Sequence, residues 1–300
     1  MKFSTNENGE LIAIMQGGLG NQLFIYATGV RLARINNLKL TIDNVSGFVD
    51  DRRYQRKYRL SELNINENLS KDINLLPVRQ LKIKICRKLS SLNFLKNKYL
   101  FQSNVNYDAS LMKKKLRGRV YLDGYWQSEK YFIEIREDLL KSITYSGVLS
   151  SYENDLIQKI KNKKSLALHY RFFENPNNYS GNNVDNSYYA NAIEYLKKNV
   201  DFNHVVVFAE DPNLIFDLNM IKEYDVDIIK TKNRPNNDII DMQIMRHCNY
   251  FIIPNSTYGW WGAWLGSSSD KIVIAPKMFK DWGVSWWGFD GLLPKSWIKI

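Results

Sequence analysis

Cysteine is nearly absent. The 300 residues hold two, Cys86 and Cys248. Two cysteines cannot build a disulfide framework. The pair His247–Cys248 is too few ligands for a structural zinc site. Such usage fits a reducing compartment. Long apolar runs are absent too: no stretch approaches the ~20 residues that a membrane-spanning helix needs. The first ten residues, MKFSTNENGE, lack an apolar core segment and a cleavage-site pattern, so they do not read as a signal peptide. The expectation is a cytoplasmic protein, with peripheral contact on the inner membrane face as an option.

Two nucleotide signatures are missing as well. Without G-x-x-x-x-G-K-[ST] the chain is not a P-loop nucleotidase. There is no D-x-D stretch of the kind that holds a divalent ion and a nucleotide diphosphate (the triplet Asp225-Val226-Asp227 opens the strand run at 226–229), so a diphosphate would have to be neutralised by arginine and helix N-termini, and no metal is expected. No known RNA or DNA motif appears, so a nucleic-acid reading would rest on charge alone.

What is abundant is positive charge, +11 net, which favours anionic partners. Hydrophobic residues at 44% and charged residues at 24% are ordinary for a soluble globular chain. The 18 Tyr, 14 Phe and 8 Trp suit a sugar cleft or, equally, a large core. Residues 79–98 carry seven Lys/Arg and no acid, with Leu81, Ile85, Leu89 and Leu92 at helical spacing. That pattern suits a membrane-surface helix or a solvated basic one. Further basic runs are RRYQRKYR at 52–59 and KKKLRGR at 113–119.

Residues 11–15 read as a buried parallel strand, followed by a glycine turn and a helix with Leu23, Tyr26, Ala27 and Val30 on one face. Residues 38–42 complete a βαβ opening. Residues 119–122 predict a strand, and 128–142 a helix capped by Ser128. From about 150 strands recur at 165–169, 204–208, 226–229, 250–253 and 271–275. Helical stretches at 187–198, 212–222, 237–247 and 256–266 alternate with them. The expected class is α/β with parallel sheets, split into residues 1–150 and 151–300.

The segment GGLGNQ at 17–22 joins a strand to a helix, where free backbone N–H groups and the helix dipole favour an anion. Asn21 and Gln22 add amides at the helix mouth. A dinucleotide-binding turn is the rival: Gly18 and Gly20 fit it, Leu23 replaces its third glycine, and Asp43 stands near the ribose-binding position. In HYRFFE, 169–174, Arg171 can hold a phosphate bidentately, His169 can hydrogen-bond a nucleoside and Glu174 can accept a proton. An Arg–Glu surface pair beside a core histidine is the plain alternative. Strand 204–208 ends near Glu210, and strand 250–253 runs into Asn255, Ser256 and Thr257 at a helix start, a second phosphate candidate. In YGWWGAWLG, 258–266, the tryptophans read chiefly as core.

Together these segments resemble the bacterial α-1,2-fucosyltransferases. GGLGNQLFIYA is similar to that family's GGLGNQLFQYA, DGYWQSEKYF to its GYWQS segment, NSYYANAIEYL to its YY-x-x-A helix, and NSTYGWWGAWL to its NSSFSWWGAWL. Only 60–118 matches weakly. The family's H-x-R-R-G-D is altered here: Phe172 stands for the second Arg, Phe173 for Gly, and Glu174 for the acid. The resemblance implies a GT-B-like fold of two facing Rossmann-like domains, acceptor side first and nucleotide-sugar side second. It implies metal-free, inverting transfer of L-fucose from GDP-β-L-fucose to a glycan, a terminal galactose in a polysaccharide repeat. It also implies donor binding by His169, Arg171, Glu210, Asn255, Ser256 and Thr257. Gly18, Gly20, Asn21, Gln22, Tyr125 and Trp126 would face fucose and acceptor, with Asn21, Arg171 and Glu174 at the reacting centre. Alternatives are another GDP-sugar transferase and a nicotinamide oxidoreductase.

Overall fold

A computed structural model describes residues 9–52, 54–65, 68–70, 76–90, 97–171, 183–209, 218–230, 236–278 and 287–300. The chain divides into two units. One is Met1–Ile143 with Asp290–Leu292; the other is Thr144–Phe289 with Leu293–Ile300. The sequence reading assigned 290–292 to the second half, because no local pattern marks three returning residues. They are held by hydrogen bonds: Ser128 Oγ donates to Gly291 O (2.7 Å) and Tyr107 N to Asp290 O (3.1 Å).

The first unit is built on β1 (Gly9–Ile14), α1 (Leu19–Asn36), β2 (Lys39–Asp43), α2 (Leu76–Leu89), β3 (Tyr99–Phe101), β4 (Gly118–Asp123) and α3 (Arg136–Ser142). Its four strands are parallel, in the order β2-β1-β4-β3. Central β1 buries Leu11, Ala13 and Ile14 completely, as a strand covered on both faces requires. Helix α1 buries Leu23, Phe24, Ile25 and Ala27, so its first turns are enclosed rather than one-sided.

The second unit holds α4 (Ser151–Lys161), β5 (Ser165–Tyr170), α5 (Asn186–Asn199), β6 (His204–Ala209), β7 (Asp225–Lys230), α6 (Asn237–Met245), β8 (Tyr250–Ile252), α7 (Thr257–Leu265), β9 (Ile272–Ala275) and β10 (Ile298–Lys299). Its sheet is also all parallel, ordered β10-β9-β8-β5-β6-β7. All six residues of β5 and of β6 are buried. A Ser-x-x-Glu capping box opens α4: Glu153 N donates to Ser150 Oγ and Ser150 N to Glu153 Oε2. Two parallel-sheet α/β units are therefore the architecture.

Two expectations change, and two short strands were not foreseen. Ser128 caps a three-residue 3-10 turn, Glu129–Tyr131, and a second such turn intervenes before α3, so no continuous helix covers 128–142. Of the helix expected at 212–222, residues 212–217 lie outside the described residues, and Leu218–Ile221 is a 3-10 turn. Strands β3 and β10, of three and two residues, were too short to show a period.

Candidate active site

In an open α/β sheet, a crevice forms beyond the strands' C-terminal ends where the strand order reverses. Each unit has one such point. In the first it lies between β1 and β4, the strands that run into GGLGNQ and DGYWQ.

Gly17 has φ +72°, and a Cβ there would lie 2.5 Å from Asn21 Nδ2, so the turn requires glycine. Gly18 is the N-cap residue of α1, and no side chain caps this end. Gly20 falls inside the first helical turn rather than in the loop. Asn21 Oδ1 accepts from Gln127 Nε2 at 2.8 Å, which links the two strand ends. Gln22 is fully buried. Its Nε2 donates to Gly17 O and Lys57 O, and its Oε1 accepts from Arg59 N, each at 2.9 Å. Its amide thus staples the basic loop 57–59 to the glycine turn, and little of it remains for a sugar.

The DGYW turn is similarly built. Gln102 Oε1 accepts from both Tyr125 N (2.8 Å) and Trp126 N (2.9 Å). Tyr125 is 38% exposed, whereas Trp126 is 4% exposed, with its ring edge-on to Tyr131. Trp126 is consequently a packing residue, not an open aromatic platform. The first residue of this turn, Asp123, is fully buried. Its carboxylate accepts two bonds from Arg87 (2.6 and 2.9 Å) and one from Tyr99 (2.6 Å). Burial raises the Tyr125 phenol above its ordinary pKa, against the field of Arg56. Arg56 also lies by Gly18: a Cβ at Gly18 would come within 3.7 Å of its Nε. The run 52–59 announced this cation, but only the fold shows which of its arginines meets the turn.

In the second unit the reversal lies between β5 and β8. A cavity of about 200 Å³ opens at this sheet edge. The ends of β5 and β6 supply His169, Tyr170, Arg171 and Ala209; the start of α6 supplies Asn237, Asp238 and Asp241; Tyr258 comes from α7. His169 is 5% exposed, and its buried Nδ1 meets no hydrogen-bond partner among the described residues. Burial, reinforced by Arg171, lowers its pKa to about 3, so the ring is neutral at neutral pH. The Tyr258 ring stands 5.4 Å from it, and Tyr258 Oη donates to Asp238 O at 2.7 Å. Gly259 lets the helix come this close: a Cβ there would sit 2.5 Å from His169 Nδ1.

The tryptophan run fixes that helix. Trp260 and Trp261 are fully buried, and Trp260 stacks on Trp264 at 5.9 Å. Asn255 and Ser256 are buried immediately before α7. Ser256 holds the N-cap position, but its side chain makes no capping bond. The hydroxyl therefore does not cap the helix. Thr257 begins the helix, next to pocket-lining Tyr258. Glu174 and Glu210, like Phe172 and Phe173, lie outside the described residues.

The residues that sequence reading missed here are Asn237, Asp238, Asp241, Tyr258 and Gly259. One signal was visible: Asp241 is an acid inside the apolar run Ile239–Met245, and it is 4% exposed. A Ser–His–Asp chain lies at the opposite sheet edge. His204 Nδ1 is 2.8 Å from Ser165 Oγ, and Nε2 is 2.8 Å from Asp227 Oδ2. Ser165 and His204 are fully buried, so this chain pins strand starts and is no nucleophile. Among the described residues, no three His, Cys, Asp or Glu side chains converge as a metal-binding group.

The profile of glycosyl transferase family 11 matches residues 10–285, and the chain belongs to that family. It is 26% identical over 309 residues to an alpha-1,2-colitosyltransferase of Escherichia coli, covering 97% of this chain and 98% of the relative. It is 28% identical over 297 residues to the O-antigen biosynthesis glycosyltransferase WbnK of Escherichia coli, covering 89% and 94%. Among solved structures it is similar to the fucosyltransferase NodZ from Bradyrhizobium (13% identity, TM-score 0.43, 86% of this chain and 93% of that one).

Proposed function

We propose, with membership of this glycosyltransferase family as the premise, that the chain transfers L-fucose from GDP-β-L-fucose to a glycan hydroxyl. The acceptor is a terminal galactose of a polysaccharide repeat, joined α-1,2 with inversion. The observation that carries the reading is the pocket of the second unit, where a neutral buried histidine, an arginine and two carboxylates line one crevice at a nucleotide-type sheet edge.

Its size and donors suit part of a sugar nucleotide. About 200 Å³ is below the ~300 Å³ of a small drug-sized site. The cavity thus fits a base or ribose, with diphosphate and sugar outside. Guanine presents adjacent N–H donors, which a carboxylate of Asp238 or Asp241 would accept. Arg171 then meets the diphosphate. The helix mouth at Asn255, Ser256 and Thr257 offers further N–H groups to it. In the reaction the acceptor oxygen bonds to the anomeric carbon as the bond to the β-phosphate oxygen breaks. The hydroxyl proton passes to a base, for which Glu174 is proposed. Negative charge grows on GDP, so Arg171 stabilises the transition state more than the ground state. Asn21, with Tyr125 exposed beside the same crevice, serves the fucose and acceptor side. We propose no metal: chelator in the assay should leave turnover unchanged.

Thermal shift with GDP, ADP, UDP and NAD tests the donor pocket; GDP alone should stabilise. Product analysis with GDP-fucose and a set of galactosides tests the transfer. Stabilisation by NAD in place of GDP would return the chain to the oxidoreductase alternative. The colitosyltransferase relative favours a second reading. Colitose is L-fucose without its 3-hydroxyl, so GDP-fucose and GDP-colitose should be assayed in parallel. A higher kcat/KM with GDP-colitose would assign that donor.

A further inference from the structure

Helix α2 presents its apolar residues the wrong way round for a core helix. Ile83 is 5% exposed and Arg87, four residues on, turns inward to buried Asp123. On the other side Leu81, Ile85 and Leu89 follow at intervals of four and are 61%, 47% and 38% exposed. Residues four apart share a helix face, so the three form one outward stripe. Exposed Lys84 and Lys88 border it, and Lys84 pairs with Asp50. Single exposed apolar side chains are ordinary, but an aligned set of three beside cations marks an interaction surface.

We propose that this outward face of α2 lies on the surface of an anionic lipid bilayer. The helix has 14 residues, too short to span, and no described helix is long and apolar enough to cross a membrane. An apolar stripe with flanking lysines fits a helix lying in the plane of the headgroups. Charge selects this occupant over a second copy. A copy would bring the same basic face, on a chain of net charge +11, whereas acidic lipid complements it. The Arg87–Asp123 bond holds α2 to the turn that carries Tyr125. The docked helix is thereby tied to the turn at which the proposed acceptor binds. Only this last step rests on the fucosyltransferase reading.

The test is cosedimentation of the full chain with phosphatidylcholine vesicles, with and without phosphatidylglycerol. Binding is expected only with phosphatidylglycerol and should weaken as salt rises. Leu81→Ser with Ile85→Ser should lower the bound fraction roughly tenfold. Its melting temperature and its shift with GDP should stay at wild-type values, since both side chains are already exposed. No binding, equal binding to the neutral vesicles, or equal binding by the double variant overturns the proposal. A dimer in solution that the double variant dissolves would overturn it in favour of a second copy. Vesicle binding needs no donor, so its failure is separable from failure of the GDP-dependent assays.

Discussion

Arg171 carries the largest single expectation. As a charge-matched donor on the leaving diphosphate, its removal should cost on the order of a hundredfold or more in kcat. Arg171→Ala should melt near the wild type, and wild-type turnover by it would sink the assignment. Gly259 is a subtler case. A methyl group there would come within 2.5 Å of a ring atom of His169. Either the imidazole or α7 must shift, at about 1–3 kcal/mol. Gly259→Ala should therefore weaken GDP stabilisation in thermal shift more than a substitution on the exposed surface does. A variant with unchanged melting and unchanged GDP response would show that the close approach is unimportant. His169 and Arg171 could be picked out from sequence, because their strand ends at a sheet edge. Asp238 and Asp241 could not be assigned, because helix α6 reaches that edge only through the parallel packing of six strands.

At the scale of elements, two local devices stand out. The Ser150–Glu153 capping box starts α4. Ser150→Ala removes one acceptor for an orphan helix N–H and should cost about 1 kcal/mol in a urea melt. The second device is Asp123, which holds α2 through Arg87. Arg87→Met would leave a fully buried carboxylate with Tyr99 as its remaining side-chain donor. The Arg87 side chain is itself 37% exposed, so the expected loss is about 1–3 kcal/mol, the range for a broken charged hydrogen bond, rather than the larger cost of a fully buried pair. Adding Asp123→Asn should recover part of it; a double variant no better than Arg87→Met would refute the cause. The longer strands, α5 and α7 were legible because their apolar runs are local, whereas β3 and β10 were too short to show one. The turns over 128–135 were not, because Ser128 answers to Gly291, distant in sequence.

For the whole molecule, the histidines set the acid limit. The chain has three. Burial lowers His169 to about 3 and His247 to about 4, and it outweighs Asp227 in lowering His204. A histidine whose folded pKa is depressed binds its proton more readily when unfolded, near pH 6.5. Its contribution is complete above that pH and is lost as pH falls below it. At pH 5, His169 alone should cost about 2 kcal/mol relative to pH 7.5, from 1.36 kcal/mol per unit. Urea melts at the two pH values should show that drop, smaller in His247→Gln than in the wild type. Equal midpoints would mean that the imidazoles titrate normally in the fold.

The sequence by itself determined the class of the molecule. Apolar strand runs, glycine turns and helix caps act over a few residues, so two α/β halves, the GGLGNQ turn and the His169–Arg171 strand end follow from local physics. Tertiary structure alone decided which polar groups meet. It spent Gln22 on the loop at 57–59 and buried Trp126 against Tyr131. It joined Asn21 to Gln127 across two strand ends and turned Leu81, Ile85 and Leu89 outward. Each depends on contacts between residues distant in sequence, and side-chain spacing along one element carries no information about its neighbour.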